Sequence, residues 1–172
     1  MARVLVTRQL PDGGLDPLIK AGHEIVQRDD DTPFSPAELT AALADVDAAV
    51  SVLTDILDAS TIAAASHLRV IANVAVGYNN IDVDAARAAG ITVCNTPGVL
   101  DETTADLVFL LILSASRLAH DAESDLRTGR WPGWAMNQYL GHDVHGATLG
   151  LVGFGRIEIG RASCRERVFK DV

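Results

Sequence analysis

The fold is decided by one stretch: Arg69-Val70-Ile71-Ala72-Asn73-Val74, then Ala75-Val76-Gly77-Tyr78-Asn79-Asn80-Ile81, then Asp82-Val83-Asp84-Ala85-Ala86-Arg87-Ala88-Ala89-Gly90, then Ile91-Thr92-Val93-Cys94. A β-branched run of strand length leads into a loop with a glycine. An alanine-rich helix follows, opened by an aspartate cap and closed by a glycine stop, and a second β-branched run comes after it. Two strands separated by a helix of this length are expected to lie parallel, because a parallel pair needs a crossover of about this length. Outward from this unit the alternation continues toward the N-terminus. Strands are expected over 3–7, 23–27 and 48–53, and helices over 15–21, 36–43 and 59–66. Ser35-Pro36-Ala37-Glu38 reads as a capping box with proline in the first turn, and Asp58 and Asp82 read as N-caps. The pattern predicts an α/β fold with a doubly wound parallel sheet.

Asn95-Thr96-Pro97-Gly98 breaks the pattern. Beyond it, Asp101-Glu102-Thr103-Thr104 supplies caps and favourable charge for one long helix over 104–127. Its centre, Leu107-Val108-Phe109-Leu110-Leu111-Ile112-Leu113, is apolar nearly all round, so burial between layers or between subunits is expected. An irregular stretch over 129–146 carries Trp131 and Trp134, and a further strand is expected over 147–152. That strand runs into Gly150-Leu151-Val152-Gly153-Phe154-Gly155-Arg156-Ile157, half of a dinucleotide fingerprint. Gly153 would permit a tight turn, Gly155 would let backbone approach a pyrophosphate, and the following helix N-terminus would face the phosphates. The position of the third glycine holds Glu158.

Composition narrows the function. The 172 residues are 48% hydrophobic and 22% charged, enough apolar content for a packed core. A net charge of −9 disfavours nucleic acid as a partner. The longest apolar run is far below the ~20 residues that span a bilayer, and no signal segment is visible, so a cytoplasmic protein is expected. Cys94 and Cys164 build no disulfide framework, and the five scattered histidines suggest no metal centre.

The motifs from Asn73 to Asp82, from Gly90 to Leu100, Thr103-Thr104-Ala105-Asp106, Gly129-Arg130-Trp131 and the glycine turn, in this order, resemble the D-isomer-specific 2-hydroxyacid dehydrogenases. The likeness is greatest to the glyoxylate/hydroxypyruvate reductase branch. The resemblance implies two domains: a flavodoxin-like substrate domain over 1–98, and the truncated start of a Rossmann coenzyme domain over 99–157. It implies reduction of a small 2-keto acid with NAD or NADP, in a protein that is a homodimer at full length. It places Val76 and Gly77 at the substrate carboxylate through their backbone N–H groups, with Leu53 lining the same cleft. It places Thr104, Gly153, Phe154, Gly155, Arg156 and Ile157 at the coenzyme. The arginine, glutamate and histidine that the family reaction needs match no position here, so no catalytic residue is assigned and the chain alone is expected to be inactive. Two alternatives stay open: a non-enzymatic NAD(H)-sensing co-regulator on the same fold, and a dehydrogenase for phosphoglycerate, formate or phosphite.

Residues 158–172 depart from this pattern. Gly160 stands where a helix should begin, and the apolar spacing that packs a helix on a sheet is missing. Residues 159–168 resemble one reading frame of a sequencing adapter, so this tail is expected to be non-native. Resequencing the locus tests this. A different frame after the codon for Ile157 is expected, and an unbroken natural frame through Val172 would contradict it.

Overall fold

The computed structural model describes residues 1–28, 30–153 and 155–157, and it divides into two compact units, the first Met1–Pro97 and the second beginning at Gly98. Both Phe154 and the suspected foreign tail lie outside the described residues.

Five strands form the first unit's sheet: β1 (Arg3–Val6), β2 (Glu24–Gln27), β3 (Ala48–Ser51), β4 (Val70–Asn73) and β5 (Thr92–Cys94). All pairs are parallel, in the order β2-β1-β3-β4-β5, with Val4 beside Ile25 and Ala48, and Ser51 beside Asn73. This is the doubly wound flavodoxin-like order. The chain moves outward from β1 in both directions, so the loops after β1 and β3 diverge and leave a crevice at the sheet's C-terminal edge.

The helices start where side-chain caps put them. In α2 (Pro36–Leu43), the Glu38 N–H donates to Ser35 Oγ at 3.3 Å and the Ser35 N–H donates to the Glu38 carboxylate at 2.8 Å. These bonds from Ser35, with Arg28 beside them, hold the Glu38 carboxyl below its ordinary range. Asp58 opens α3 (Ala59–Ala64) by accepting from the Thr61 N–H, and Asp82 opens α4 (Val83–Ala88) by accepting from the Ala85 N–H. The short α1 (Asp16–Lys20) has no side-chain cap. Leu5, Ala49 and Ile71 from one sheet face pack with Leu39, Leu43, Ile62 and Ala86 from α2, α3 and α4. On the opposite face Val4 and Val6 are buried, while Val70 and Thr92 are exposed along a trough that also touches Leu18, Ala48, Val50 and Ala72.

The second unit corrects three expectations. The single helix over 104–127 is two helices, α5 (Asp101–Ser116) and α6 (Ala119–Arg127), bent by 71°. Leu118 adopts a left-handed φ of 53° at the break. The His142 N–H donates to the Ser116 carbonyl at 2.7 Å, so the return of a distant segment ends α5. Gly141 permits that approach, because a Cβ there would collide with the Ser116 carbonyl. Secondly, α5 starts three residues early, with Leu100 as an N-cap that makes no side-chain bond. Asp101 and Glu102 lie inside its first turn, where their charge complements the helix dipole. Of α5's residues only Ala105 is fully buried, while Leu107, Leu110, Leu111 and Leu113 are exposed, so the helix is not enclosed between layers of this chain. Thirdly, residues 147–152 form no strand. A strand exists through its ladder, and no segment among the described residues pairs with this one.

Among the described residues no single helix is long and apolar enough to cross a membrane. Gly141→Ala is expected to lower the thermal midpoint of the chain by several degrees, roughly the effect of an overpacked contact. It should also remove hydrogen-exchange protection at the His142 amide. An unchanged amide would show that the close approach does not hold the α5–α6 break.

Candidate functional site

At the sheet's C-terminal edge the strands end in a lattice of buried polar side chains. Thr7, Ser51, Asp55, Asn73 and Asn80 are all buried. The Thr7 hydroxyl donates to Asp55 Oδ2 at 2.5 Å, and the Val52 N–H donates to the same oxygen at 2.9 Å. Asn80 Nδ2 donates to the carbonyls of Val52 and Asp55 at 3.2 and 3.0 Å. Ser51 Oγ donates to Asn73 Oδ1 at 3.1 Å, and Asn73 Nδ2 donates to Asn80 Oδ1 at 3.2 Å. The loops after β1, β3 and β4 are therefore cross-linked below the surface. Asp55, in the loop expected to line the cleft, turns inward, while Leu53 in the same loop is 56% exposed.

Above the lattice lies the loop that carries Val76 and Gly77. Three successive carbonyls are tied: Ala75 O accepts from the Thr96 N–H at 2.9 Å, Val76 O from Asn95 Nδ2 at 2.8 Å, and Gly77 O from Asn73 Nδ2 at 2.9 Å. In a trans peptide the N–H points opposite to the C=O, and no bond here is cis. The N–H groups of Val76, Gly77 and Tyr78 therefore point away from these partners, and none of them donates to a group among the described residues. A Cβ on Gly77 would lie 4.0 Å from Leu53 Cδ2 and 3.2 Å from Asn79 Oδ1. So the three residues expected at the substrate, Leu53, Val76 and Gly77, come together. Free backbone N–H groups in succession can hold an anion without a charged side chain.

Arg8, just past β1, is committed elsewhere. Its guanidinium donates to both Asp31 carboxylate oxygens, at 2.9 and 3.1 Å. Those bonds, with the Gln9 N–H, lower the Asp31 carboxyl to about 2.

The expected coenzyme residues lie in the second unit. Thr104 sits in the first turns of α5, its N–H donating to the Leu100 carbonyl. Gly153 has a φ of 107°, a conformation that a side chain would strain, and helical backbone begins at Arg156 and Ile157. Gly155 lies in the bend between them. The positive φ of Gly153 is the feature of the expected turn that falls among the described residues, and the strand expected before it is absent there. Among the described residues no group of three or more His, Cys, Asp or Glu side chains is placed to hold a metal ion.

Sequence reasoning missed Asn73, Asn80 and Asn95 as individual contributors. The available signal was three amide side chains falling at strand ends or loops on one edge of a parallel sheet.

Fold and loop define a flavodoxin-like α/β unit with a row of free N–H groups at the C-terminal edge of its sheet, followed along the chain by a glycine-rich segment in which Gly153 takes a positive φ. Residues 4–165 match the family of the D-isomer specific 2-hydroxyacid dehydrogenase catalytic domain, and the chain belongs to that family. It is similar to the glyoxylate reductase of Korarchaeum cryptofilum, 47% identical over 156 residues that cover 90% of this chain and 47% of that protein. The glyoxylate reductase of Thermococcus litoralis is 41% identical over 159 residues, covering 90% of this chain and 48% of that protein. A crystal structure of a Thermus thermophilus protein superposes with a TM-score of 0.90 at 40% identity, covering 96% of this chain and 53% of that one. The NADPH-dependent glyoxylate/hydroxypyruvate reductase of Sinorhizobium meliloti, solved with NADP and malonate, superposes with a TM-score of 0.75 at 33% identity, covering 97% of this chain and 50% of that one. The chain spans about half the length of the curated relatives it matches.

Replacing the buried Thr7 hydroxyl should show what the lattice contributes. Thr7→Val leaves the Asp55 carboxyl with one donor fewer, and a loss of about 2 kcal/mol is expected in urea unfolding, with Thr7→Ser retaining most of the stability. Equal stability of Thr7→Val and the natural chain would show that this bond supports nothing.

Proposed function

We infer that the complete protein is an NAD(P)H-dependent reductase that converts glyoxylate or hydroxypyruvate to the D-2-hydroxy acid, and that this chain carries its carboxylate-binding half. The observation that carries this reading is the row of free N–H groups at Val76, Gly77 and Tyr78 beside Leu53. A small 2-keto acid offers a carboxylate to such donors and an adjacent carbonyl to a hydride. The S. meliloti relative was solved with malonate, a small carboxylate of the same chemical class, which supports the reading.

The coenzyme's pyrophosphate would rest on Gly153, Phe154, Gly155, Arg156 and Ile157, with Thr104 toward its nicotinamide end. The positive φ of Gly153 ahead of a helix start suits that contact. Bound NADH or NADPH supplies the hydride. The chain's own residues orient the substrate: the amides fix its carboxylate, and the apolar Leu53 side chain keeps water from one side of it. The carbonyl-polarising arginine and the proton-donating histidine with its glutamate partner are assigned to no residue of this chain. The complete protein acts as a homodimer, a reading supported by the apolar side chains that α5 and the following loop expose, among them Leu110, Leu111, Trp134 and Met136.

NAD(P)H oxidation with glyoxylate, hydroxypyruvate and phosphoglycerate tests this. The complete protein should turn over the first two, and the 172-residue chain should turn over none. Gly77→Val in the complete protein keeps the N–H but crowds Asn79 Oδ1, which a Cβ would meet at 3.2 Å, so the displaced loop should raise the KM for glyoxylate about tenfold and leave the KM for coenzyme unchanged. Turnover by the 172-residue chain, or a preference for phosphoglycerate, would contradict the reading.

A further inference from the structure

Past the end of β4 the chain leaves the sheet, yet its carbonyls stay tied. The bond from Thr96 to Ala75 runs from backbone to backbone just beyond the β4–β5 pairing and needs no side chain. The next two bonds are different in kind. Val76 and Gly77 are exposed residues, and the Val76 carbonyl lies where water could solvate it at little cost. Instead each takes a side-chain amide, the half-buried Asn95 for Val76 and the buried Asn73 for Gly77. Asn73 is itself held by Ser51 and Asn80, so its amide cannot turn away. What these two bonds accomplish is orientation. Because the peptide is planar, holding the Val76 C=O fixes the direction of the Gly77 N–H, and holding the Gly77 C=O fixes that of the Tyr78 N–H.

The geometry points to Asn95 and Asn73 as positioning residues for carboxylate recognition: they lock two successive peptides so that the Gly77 and Tyr78 N–H groups face the substrate. This rests on the reading of the loop as the carboxylate site. Neither asparagine touches the substrate. Each acts through a backbone carbonyl, and the gain is preorganisation, since donors already aimed at an anion lose no freedom when it arrives.

Asn95 is the residue to test, because it is half-buried and outside the hydrophobic core. The ¹⁵N-labelled 172-residue chain is titrated with oxamate, an unreactive analogue of a 2-keto acid, with chloride as the ionic-strength control. In the natural chain the Val76, Gly77 and Tyr78 amides should shift saturably with oxamate and not with chloride. Asn95→Leu should weaken oxamate about tenfold, with its thermal midpoint within about two degrees of the natural value. Asn95→Gln, which carries the same amide on a longer arm, should recover part of the affinity. If Asn95→Leu binds oxamate as the natural chain does, the positioning role is wrong and the carboxylate reading stands. If Asn95→Leu loses affinity only together with a large fall in thermal midpoint and shifts across the sheet, the role is structural and the proposal fails. If no amide of the natural chain responds to oxamate, the carboxylate reading itself fails and takes this proposal with it.

Discussion

The hydrogen bond from the Thr7 hydroxyl to the buried Asp55 carboxyl group is where the C-terminal edge of the sheet begins to be organised. It joins β1 to the loop after β3. The same carboxyl takes the Val52 N–H, and the Asn80 amide takes the Val52 and Asp55 carbonyls. Asn80 in turn meets Asn73, and Asn73 reaches Gly77. One connected set of bonds thus runs from the first strand to the loop that displays the free amides. A buried polar group without a partner costs more than a made bond returns, so such a lattice is stable in one arrangement and poor in most others. The bonds tie the loops after β1, β3 and β4 to one another.

These bonds bear on the proposal that a chain of net charge −9 receives an anion. The one arginine just past β1, Arg8, is paired with Asp31. The loop instead offers neutral N–H donors, whose attraction for a carboxylate is short-ranged, directional and little affected by salt. Donors of this kind are useful only when correctly aimed, which is why the anchoring of their carbonyls matters. The donors follow β4 at the C-terminal edge of the sheet, the edge along which open α/β sheets bind their ligands, one strand beyond the β1–β3 point where the strand order reverses.

Much of the first unit was legible in the sequence. Ser35, Asp58 and Asp82 cap the helices they were expected to cap, because capping is a contact over three residues and leaves a local trace. The parallel sheet followed from helix-length connections between β-branched runs. The second unit was less legible because its decisive contacts are not local. The end of α5 depends on His142, which lies far along the chain from Ser116, and nothing in the smooth apolar run through Leu113 announces the left-handed Leu118. The strand expected over 147–152 has the right composition but no neighbour among the described residues. At the site, Leu53, Val76 and Gly77 were reached by resemblance to a family, whereas Asn95 was not. An asparagine before Thr-Pro-Gly reads as a turn residue, and only the folded chain brings it across to Val76, 19 positions earlier.

On the proposed function, the amides after β4 receive the substrate carboxylate. A crystal structure of the complete protein with NADP and oxamate tests it most directly. Carboxylate oxygens are expected within hydrogen-bond distance of the Gly77 N–H and a neighbouring amide of the same loop, with the Val76 and Gly77 carbonyls still bound by Asn95 and Asn73. A carboxylate bound elsewhere, with these amides facing water, would contradict it.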